Sequence, residues 1–277
     1  MANAVNVLVV TGNGTNCERE TAHAARLAGA DTVDVRMIWD LLAGEVRLQG
    51  YQLLCLPGGF LDGDDLGAAK AAAIRWRHAR VGEGGDKLVD QLQSFIDAGN
   101  LVLGICNGFQ LMAKLGLVPA TNALAAAGAG TPQQASLGVN DSGRFEDRWV
   151  RLEVDPESPC VFTRGLTSLE VPVRHGEGKV ILGDADTAAA IESGHLAPVR
   201  YADGSGASTE DYPANPNGSA GGIAGLCDPT GRCFGLMPHP EAFTHRTNHP
   251  RWTRRSDLPE EGAGLAIFRN AVSYIQQ

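Results

Sequence analysis

The chain has 277 residues, 43% hydrophobic and 20% charged, enough to bury a sizeable core as one large domain or two small ones. Its formal net charge of −9 argues against a general nucleic-acid binder. No stretch approaches the ~20 apolar residues of a membrane span, and Met1-Ala2-Asn3-Ala4 lacks the basic start of a secretory signal.

Taken in chain order, Val5 to Thr11 is an apolar run that ends in Gly12-Asn13-Gly14-Thr15, with a helix expected from Cys17 to Leu27. Asp31 to Ile38 gives a second strand pattern and Tyr51 to Leu56 a third, stopped by Pro57-Gly58-Gly59. Leu61 to Gly85 is charged and Ala-rich, too long for a simple connection, and predicts an inserted helix. Asp86 to Ala98 reads as a helix, and Leu101 opens a central strand. Ala120 to Gly130 has the composition of a flexible connection. Strands then dominate: Arg144 to Val154, Ser168 to Val173, Pro198 to Tyr201, Ile223 to Cys227 and Cys233 to Met237, before a closing helix from Gly264 to Ile275. Tyr201 to Gly222, rich in Gly, Ser, Pro and Asn, is a long ordered loop or a mobile flap. The alternation predicts an α/β fold, a mostly parallel sheet with helices on both faces and added strands in the C-terminal half. In such sheets the chemistry gathers at the carboxyl ends of the strands, where the glycine loops at 12–14, 58–59 and 104–108 fall.

The six cysteines, at 17, 55, 106, 160, 227 and 233, are scattered as reduced thiols of the cytoplasm are, and one stands apart. Gly104-Ile105-Cys106-Asn107-Gly108 lies between an apolar strand and a helix start, the Gly-x-nucleophile-x-Gly pattern of a nucleophile elbow. The glycines admit close backbone approach, the corner residue is strained, and the helix N-terminus favours thiolate. A thiol so placed needs a base. His239 is the candidate among seven histidines, because a buried strand runs straight into Pro238-His239-Pro240-Glu241. In extended backbone, residues two apart point the same way, so Glu241 is expected to reach the His239 ring. Cys106, His239 and Glu241 thus supply nucleophile, base and orienting carboxylate.

With His239-Pro240-Glu241, the run Gly104 to Gln110 resembles the class I (triad) glutamine amidotransferases. Within them the chain is similar to the glutaminase subunits of phosphoribosylformylglycinamidine synthases. The finer matches are Gly14 to Thr21, Pro57 to Phe60, Ser142 to Glu146, His175-Gly176-Glu177-Gly178, Tyr212 to Ser219 and Gly235 to Glu241. They run almost the whole length in order. The segment Leu61-Asp62-Gly63-Asp64-Asp65 departs from the family's usual wording, and 66–87 and 244–258 lengthen the chain relative to the small bacterial form.

The resemblance implies a flavodoxin-like amidotransferase fold as a single domain over 1–277. It implies hydrolysis of glutamine through a cysteinyl thioester on Cys106, with His239 as acid and base and Glu241 fixing its tautomer. The oxyanion donors are the backbone N–H of Asn107 and that of Gly59 or Phe60, and Gln110, one helical turn past the nucleophile, is the candidate for holding glutamine. No metal or cofactor belongs to this chain; ATP and Mg are expected on a synthetase subunit, the partner in making formylglycinamidine ribonucleotide in purine biosynthesis. A small accessory subunit is admitted as a further partner, whereas nucleic acid and membrane are not.

Other signals are read as structural. Cys17, at another helix N-terminus where its pKa is open to lowering, has no base nearby in sequence. Gly12-Asn13-Gly14 lacks the Gly-Lys-Ser/Thr that cradles nucleotide phosphates. His245 and His249 are four apart, but Thr247, Asn248 and Pro250 disfavour the helix a zinc pair would need. Arg251 to Arg255 is a solvated or partner-facing loop, and His175 and Glu177 are structural or line a route to the partner. The competing accounts are a self-contained cysteine hydrolase or deglycase of related fold, and a non-catalytic binding scaffold.

Overall fold

The computed structural model describes residues 3–121 and 132–277. The expected flexible connection at 120–130 therefore lies almost wholly outside the described residues. Strands are β1 (Asn6–Thr11), β2 (Thr32–Met37), β3 (Leu53–Leu56), β4 (Leu101–Ile105), β5 (Ala135–Val139), β6 (Glu146–Val154), β7 (Ser168–His175), β8 (Glu177–Leu182), β9 (Val199–Ala202), β10 (Ile223–Cys227) and β11 (Cys233–Leu236). Helices are α1 (Glu18–Leu27), α2 (Ile38–Ala43), α3 (Lys70–His78), α4 (Leu88–Asp97), α5 (Asn107–Leu115), α6 (Ala185–Ser193) and α7 (Leu265–Ile275).

Nine strands make one sheet in the order β2-β1-β3-β4-β11-β10-β9-β6-β7, and β5 and β8 pair in a separate ribbon. The first five are parallel; from β11 onward each pairing is antiparallel. The sheet is therefore mixed, its antiparallel part built from the added strands of the C-terminal half. Central strands β3 and β4 are buried at every position, which suits continuous apolar runs covered on both faces.

Helix α1 buries Thr21, Ala22, Ala24 and Ala25 and carries Glu18 and Glu20 in its first turn, where the helix dipole favours acid. The long segment after Pro57 does contain a helix, α3, which buries Trp76. Four elements were not foreseen. Helix α2 starts directly after β2 with no intervening loop, and α6 is only weakly amphipathic, its start fixed by Asp184 Oδ1 accepting from Thr187 N–H at 2.7 Å. Strands β5 and β8 lean on each other rather than on the main sheet.

Helix α5 packs against the carboxyl ends of β3, β4 and β11 at unusually short range. A Cβ on Gly108 would stand 1.9 Å from the Leu56 carbonyl oxygen, one on Gly104 2.4 Å from Met112 Sδ, and one on Gly235 2.2 Å from the Phe109 ring. These glycines let the helix begin with only Cys106 between it and the strand. The backbone at Cys106 is left at φ 52°, ψ −103°, a strained corner costing on the order of 1–3 kcal/mol.

Candidate active site

Cys106 is fixed from both sides. Its N–H donates to the Leu236 carbonyl of β11 at 2.8 Å, and its carbonyl accepts from Gln110 N–H at 3.0 Å. The thiol stands 3.7 Å from the Arg174 carbonyl oxygen and is buried. His239 follows β11, its N–H donating to the Pro172 carbonyl of β7 at 2.8 Å. Its Nδ1 is 2.7 Å from Glu241 Oε1. The carboxylate does not come back along extended chain, as the sequence suggested: Pro240–Ala242 is one turn of 3₁₀-helix, which folds Glu241 beneath the ring.

Both members of this pair are fully enclosed. Burial alone lowers the His239 pKa, but the Glu241 carboxylate and then the Cys106 side chain outweigh it and hold the imidazole well above its ordinary value. A protonated ring beside Cys106 favours the thiolate. His239 Nε2 has no hydrogen-bond partner among the described residues. Such an orphaned buried atom is expected where a substrate completes the network.

A cavity of about 240 Å³ opens on this pair, lined by Cys17, Gly59, Phe60, Asp64, Cys106, Gln110, Phe145, Arg174, His175, Glu177 and His239 among others. Gly59 and Phe60 bring the Pro57-Gly58-Gly59-Phe60 loop to its wall, and in that loop the Gly58 carbonyl accepts from Asn16 and Cys17 N–H, both at 3.1 Å. A trans peptide points its N–H opposite its C=O, so Gly59 N–H faces away from the 16–17 backbone. Neither Gly59 N–H nor Asn107 N–H has an acceptor among the described residues. Phe60 N–H, by contrast, donates to the Gly14 carbonyl at 2.7 Å. Of the two donors considered in that loop, Phe60 is therefore engaged and Gly59 is free.

A family model described as a CobB/CobQ-like glutamine amidotransferase domain matches residues 4–275. The chain belongs to this family. It is 43% identical over 273 residues to phosphoribosylformylglycinamidine synthase subunit PurQ of Dehalococcoides mccartyi, covering 99% of this chain and 98% of that one. It is 40% identical over 281 residues to human phosphoribosylformylglycinamidine synthase, covering 97% of this chain and 20% of that much longer polypeptide. Among solved structures, PurLQS from Thermotoga maritima matches with a TM-score of 0.68 at 25% identity, covering 99% of both chains.

The remaining candidates of this amidotransferase fall into place around the cavity. Gln110 is buried and already engaged at both ends: its Oε1 accepts from Asn107 Nδ2 at 3.0 Å and its Nε2 donates to the Glu177 carbonyl at 2.6 Å. Asn107 Oδ1 in turn accepts from Leu61 N–H at 3.0 Å. This chain of bonds ties α5 to the wall of the cavity and leaves Gln110, which lines it, one N–H and one lone pair for a ligand. Glu177 accepts from Ala68 N–H at 3.2 Å, which joins the 61–70 segment to the same wall.

His175 is buried behind Gly178, its Nδ1 3.1 Å from Asn140 Oδ1. Both N–H groups of that Asn140 amide go to carbonyls, so its oxygen faces His175 and Nδ1 carries the proton. Burial, helped by the charge of His239, pushes the His175 pKa down to about 3. His175 is a neutral ring whose Nε2 is a bare acceptor without a partner among the described residues.

The loop from Tyr201 to Gly222 is ordered where Asn215-Pro216-Asn217-Gly218-Ser219 closes it. Asn215 Oδ1 accepts from the N–H of 217, 218 and 219, and Asn217 Nδ2 donates to the Gly178 carbonyl at 2.9 Å. The zinc-like spacing at 245 and 249 resolves into separate roles: His249 is buried against Trp149 with Nε2 3.3 Å from Glu170, and His245 Nδ1 accepts from Thr247 N–H. Of the loop's basic residues, Arg255 pairs with Glu170 and Asp257.

Cys17 departs most from its sequence reading. Its Sγ is 3.9 Å from His239 Nδ1, so a base does stand beside it. Burial raises its pKa above the usual thiol value despite the imidazole, the reverse of the lowering that a helix N-terminus suggested. The signal missed in the sequence was tertiary: Cys17 N–H bonds to Gly58, which brings the first and second glycine loops beside the His239 ring.

Proposed function

We propose that this chain is the glutaminase subunit of a phosphoribosylformylglycinamidine synthase, releasing ammonia from glutamine for a synthetase partner. The observation that carries the reading is Cys106 at a strained elbow beside a buried His239–Glu241 pair, in a cavity sized for an amino acid. The relatives' names and near-complete coverage supply the pathway.

Cys106 thiolate attacks the side-chain amide carbon, and the oxyanion accepts from Asn107 and Gly59 N–H. The imidazolium gives its Nε2 proton to the departing nitrogen; the neutral ring then takes a proton from the water that hydrolyses the γ-glutamyl thioester. Glu241 holds Nδ1–H throughout and stabilises the charged ring. Gln110 positions the cavity wall and offers its remaining hydrogen-bonding capacity to glutamine.

Ligation, with its ATP and Mg, belongs to the partner. Phe60 and Phe145 line the cavity yet are 50% and 58% exposed, an apolar rim suited to sealing ammonia against a docked partner. A small accessory subunit and a cytoplasmic location fit the same role; no helix among the described residues is long and apolar enough to cross a membrane.

The test is covalent. A diazoketone analogue of glutamine should add to the peptide bearing Cys106, and excess glutamine should protect it. Labelling of Cys17 instead, or none in folded protein, would refute the assignment.

A further inference from the structure

Cys17 has no part in the mechanism above, yet its sulfur lies against the catalytic ring in a buried position. One ligand atom each from Cys17, His239 and Glu241 lies within 4.8 Å of the other two, and all three side chains are buried. Thiolate, imidazole and carboxylate are the donor set of a borderline-soft divalent cation.

We infer that these three residues form a zinc site that switches the glutaminase off. The geometry admits the ion with little movement. Taking Zn–S as about 2.3 Å and Zn–N as about 2.0 Å, the 3.9 Å between Cys17 Sγ and His239 Nδ1 gives an angle at the metal of roughly 130°, a widened tetrahedral angle. The 2.7 Å between Nδ1 and Glu241 Oε1 is shorter than two ligands of one zinc keep. The carboxylate must back away by roughly half an ångström to coordinate at about 2.0 Å. Cys17 and His239 both line the cavity, which gives the ion its entry path and a fourth position for water or chloride.

Binding changes the chemistry of the ring, in balanced steps. Zn²⁺ takes the Cys17 sulfur as thiolate and the Nδ1 lone pair, so the thiol proton and the Nδ1 proton leave to solvent. The ring keeps one proton, on Nε2. A neutral metal-bound imidazole cannot give up that proton without becoming imidazolate, and it has no lone pair at Nε2 to accept one. It therefore serves neither the departing ammonia nor the hydrolytic water. Inhibition follows from the wrong tautomer and does not require the ion to touch Cys106.

This inference rests on the triad reading for its effect on activity, but not for binding, and the two separate in one experiment. Zinc alone, delivered from a metal buffer, is titrated against a chromophoric chelator in the folded chain carrying Cys106→Ala. One equivalent should bind there, and Cys17→Ser in the same background should weaken binding at least tenfold, with Cys17→Ala as a second variant if serine unsettles the buried position. In the synthetase complex with Cys106 intact, Cys17→Ser should raise the zinc concentration for half-inhibition of glutamine hydrolysis at least tenfold. Zinc that binds as tightly without Cys17, or that needs Cys106 in order to bind, would overturn the site. A dead Cys106→Ala enzyme that still binds zinc would leave the triad reading standing, whereas an active one would end that reading alone.

Discussion

Gly58→Ala puts the smallest side chain against His239, Cys106 and Cys17. The added Cβ would lie 2.8 Å from His239 Cε1 and 3.4 Å from both Cys106 Cβ and Cys17 Sγ. Carbon atoms pack at about 3.5–4.0 Å, so the ring must retreat by roughly 0.7–1.2 Å. It has little freedom to do so, because its Nδ1 is tied to Glu241, its backbone N–H to Pro172, and a proline stands on each side. If the loop gives way instead, the two bonds to the Gly58 carbonyl are disturbed and Gly59 N–H moves with them. A displacement near 1 Å at reacting groups costs on the order of 100-fold in rate. The overpacking should cost about 1–3 kcal/mol of stability. Glutamine-dependent kcat/KM of the assembled complex should therefore fall about 100-fold, roughly 2.7 kcal/mol of transition-state stabilisation, while ammonia-dependent synthesis stays near native. A folded variant that hydrolyses glutamine within about threefold of the native rate would refute the confinement of His239 by this loop.

Glu241→Gln should reduce glutamine hydrolysis less than His239→Ala, because the carboxylate orients and charges the ring while the ring moves the proton; steady-state rates in the complex decide, and equal losses would mean Glu241 does more than orient. Gly108→Ala should block folding of the elbow itself, with no soluble native-like protein by circular dichroism, since its Cβ meets the Leu56 carbonyl at 1.9 Å; a stable, active variant would show that α5 sits farther from the sheet. His175, its folded pKa near 3 and its unfolded value near 6.5, contributes stability that is complete above pH 6.5 and is lost as pH falls toward 3. His175→Gln should accordingly flatten the stability profile in that window by up to one proton, about 1.4 kcal/mol per pH unit. Denaturant midpoints from pH 3.5 to 7 check it, and an unchanged slope would mean His175 is protonated in the folded chain.

The readable parts of the fold were those with local causes. Apolar runs gave β1, β3, β4, β10 and β11, and the glycines flanking Cys106 announced an elbow whose necessity the contacts at Gly104 and Gly108 explain. The Asn215–Ser219 segment looked like either loop or flap because its order comes from side-chain bonds to Gly178, across the fold. Strands β5 and β8 escaped notice because Glu177–Leu182 is short and continues almost directly from β7, and because its partner follows the low-complexity Ala/Gly stretch. The proximity of Glu241 to His239 was anticipated from the wrong local geometry, extended chain instead of a 3₁₀ turn. Two features had no sequence signal. Phe60 N–H is taken by Gly14, and Cys17 meets the His239 ring, both through pairing of loops more than forty residues apart.

The central claim is a division of labour: this chain makes ammonia and its partner uses it. Cys106→Ala in the assembled complex tests it, with product formation followed first on glutamine and then on ammonium salt at a pH that supplies free ammonia. Glutamine-driven synthesis should vanish and ammonia-driven synthesis should remain near the native rate. Retained glutamine-driven synthesis, or loss of both from an assembled complex, would contradict the account.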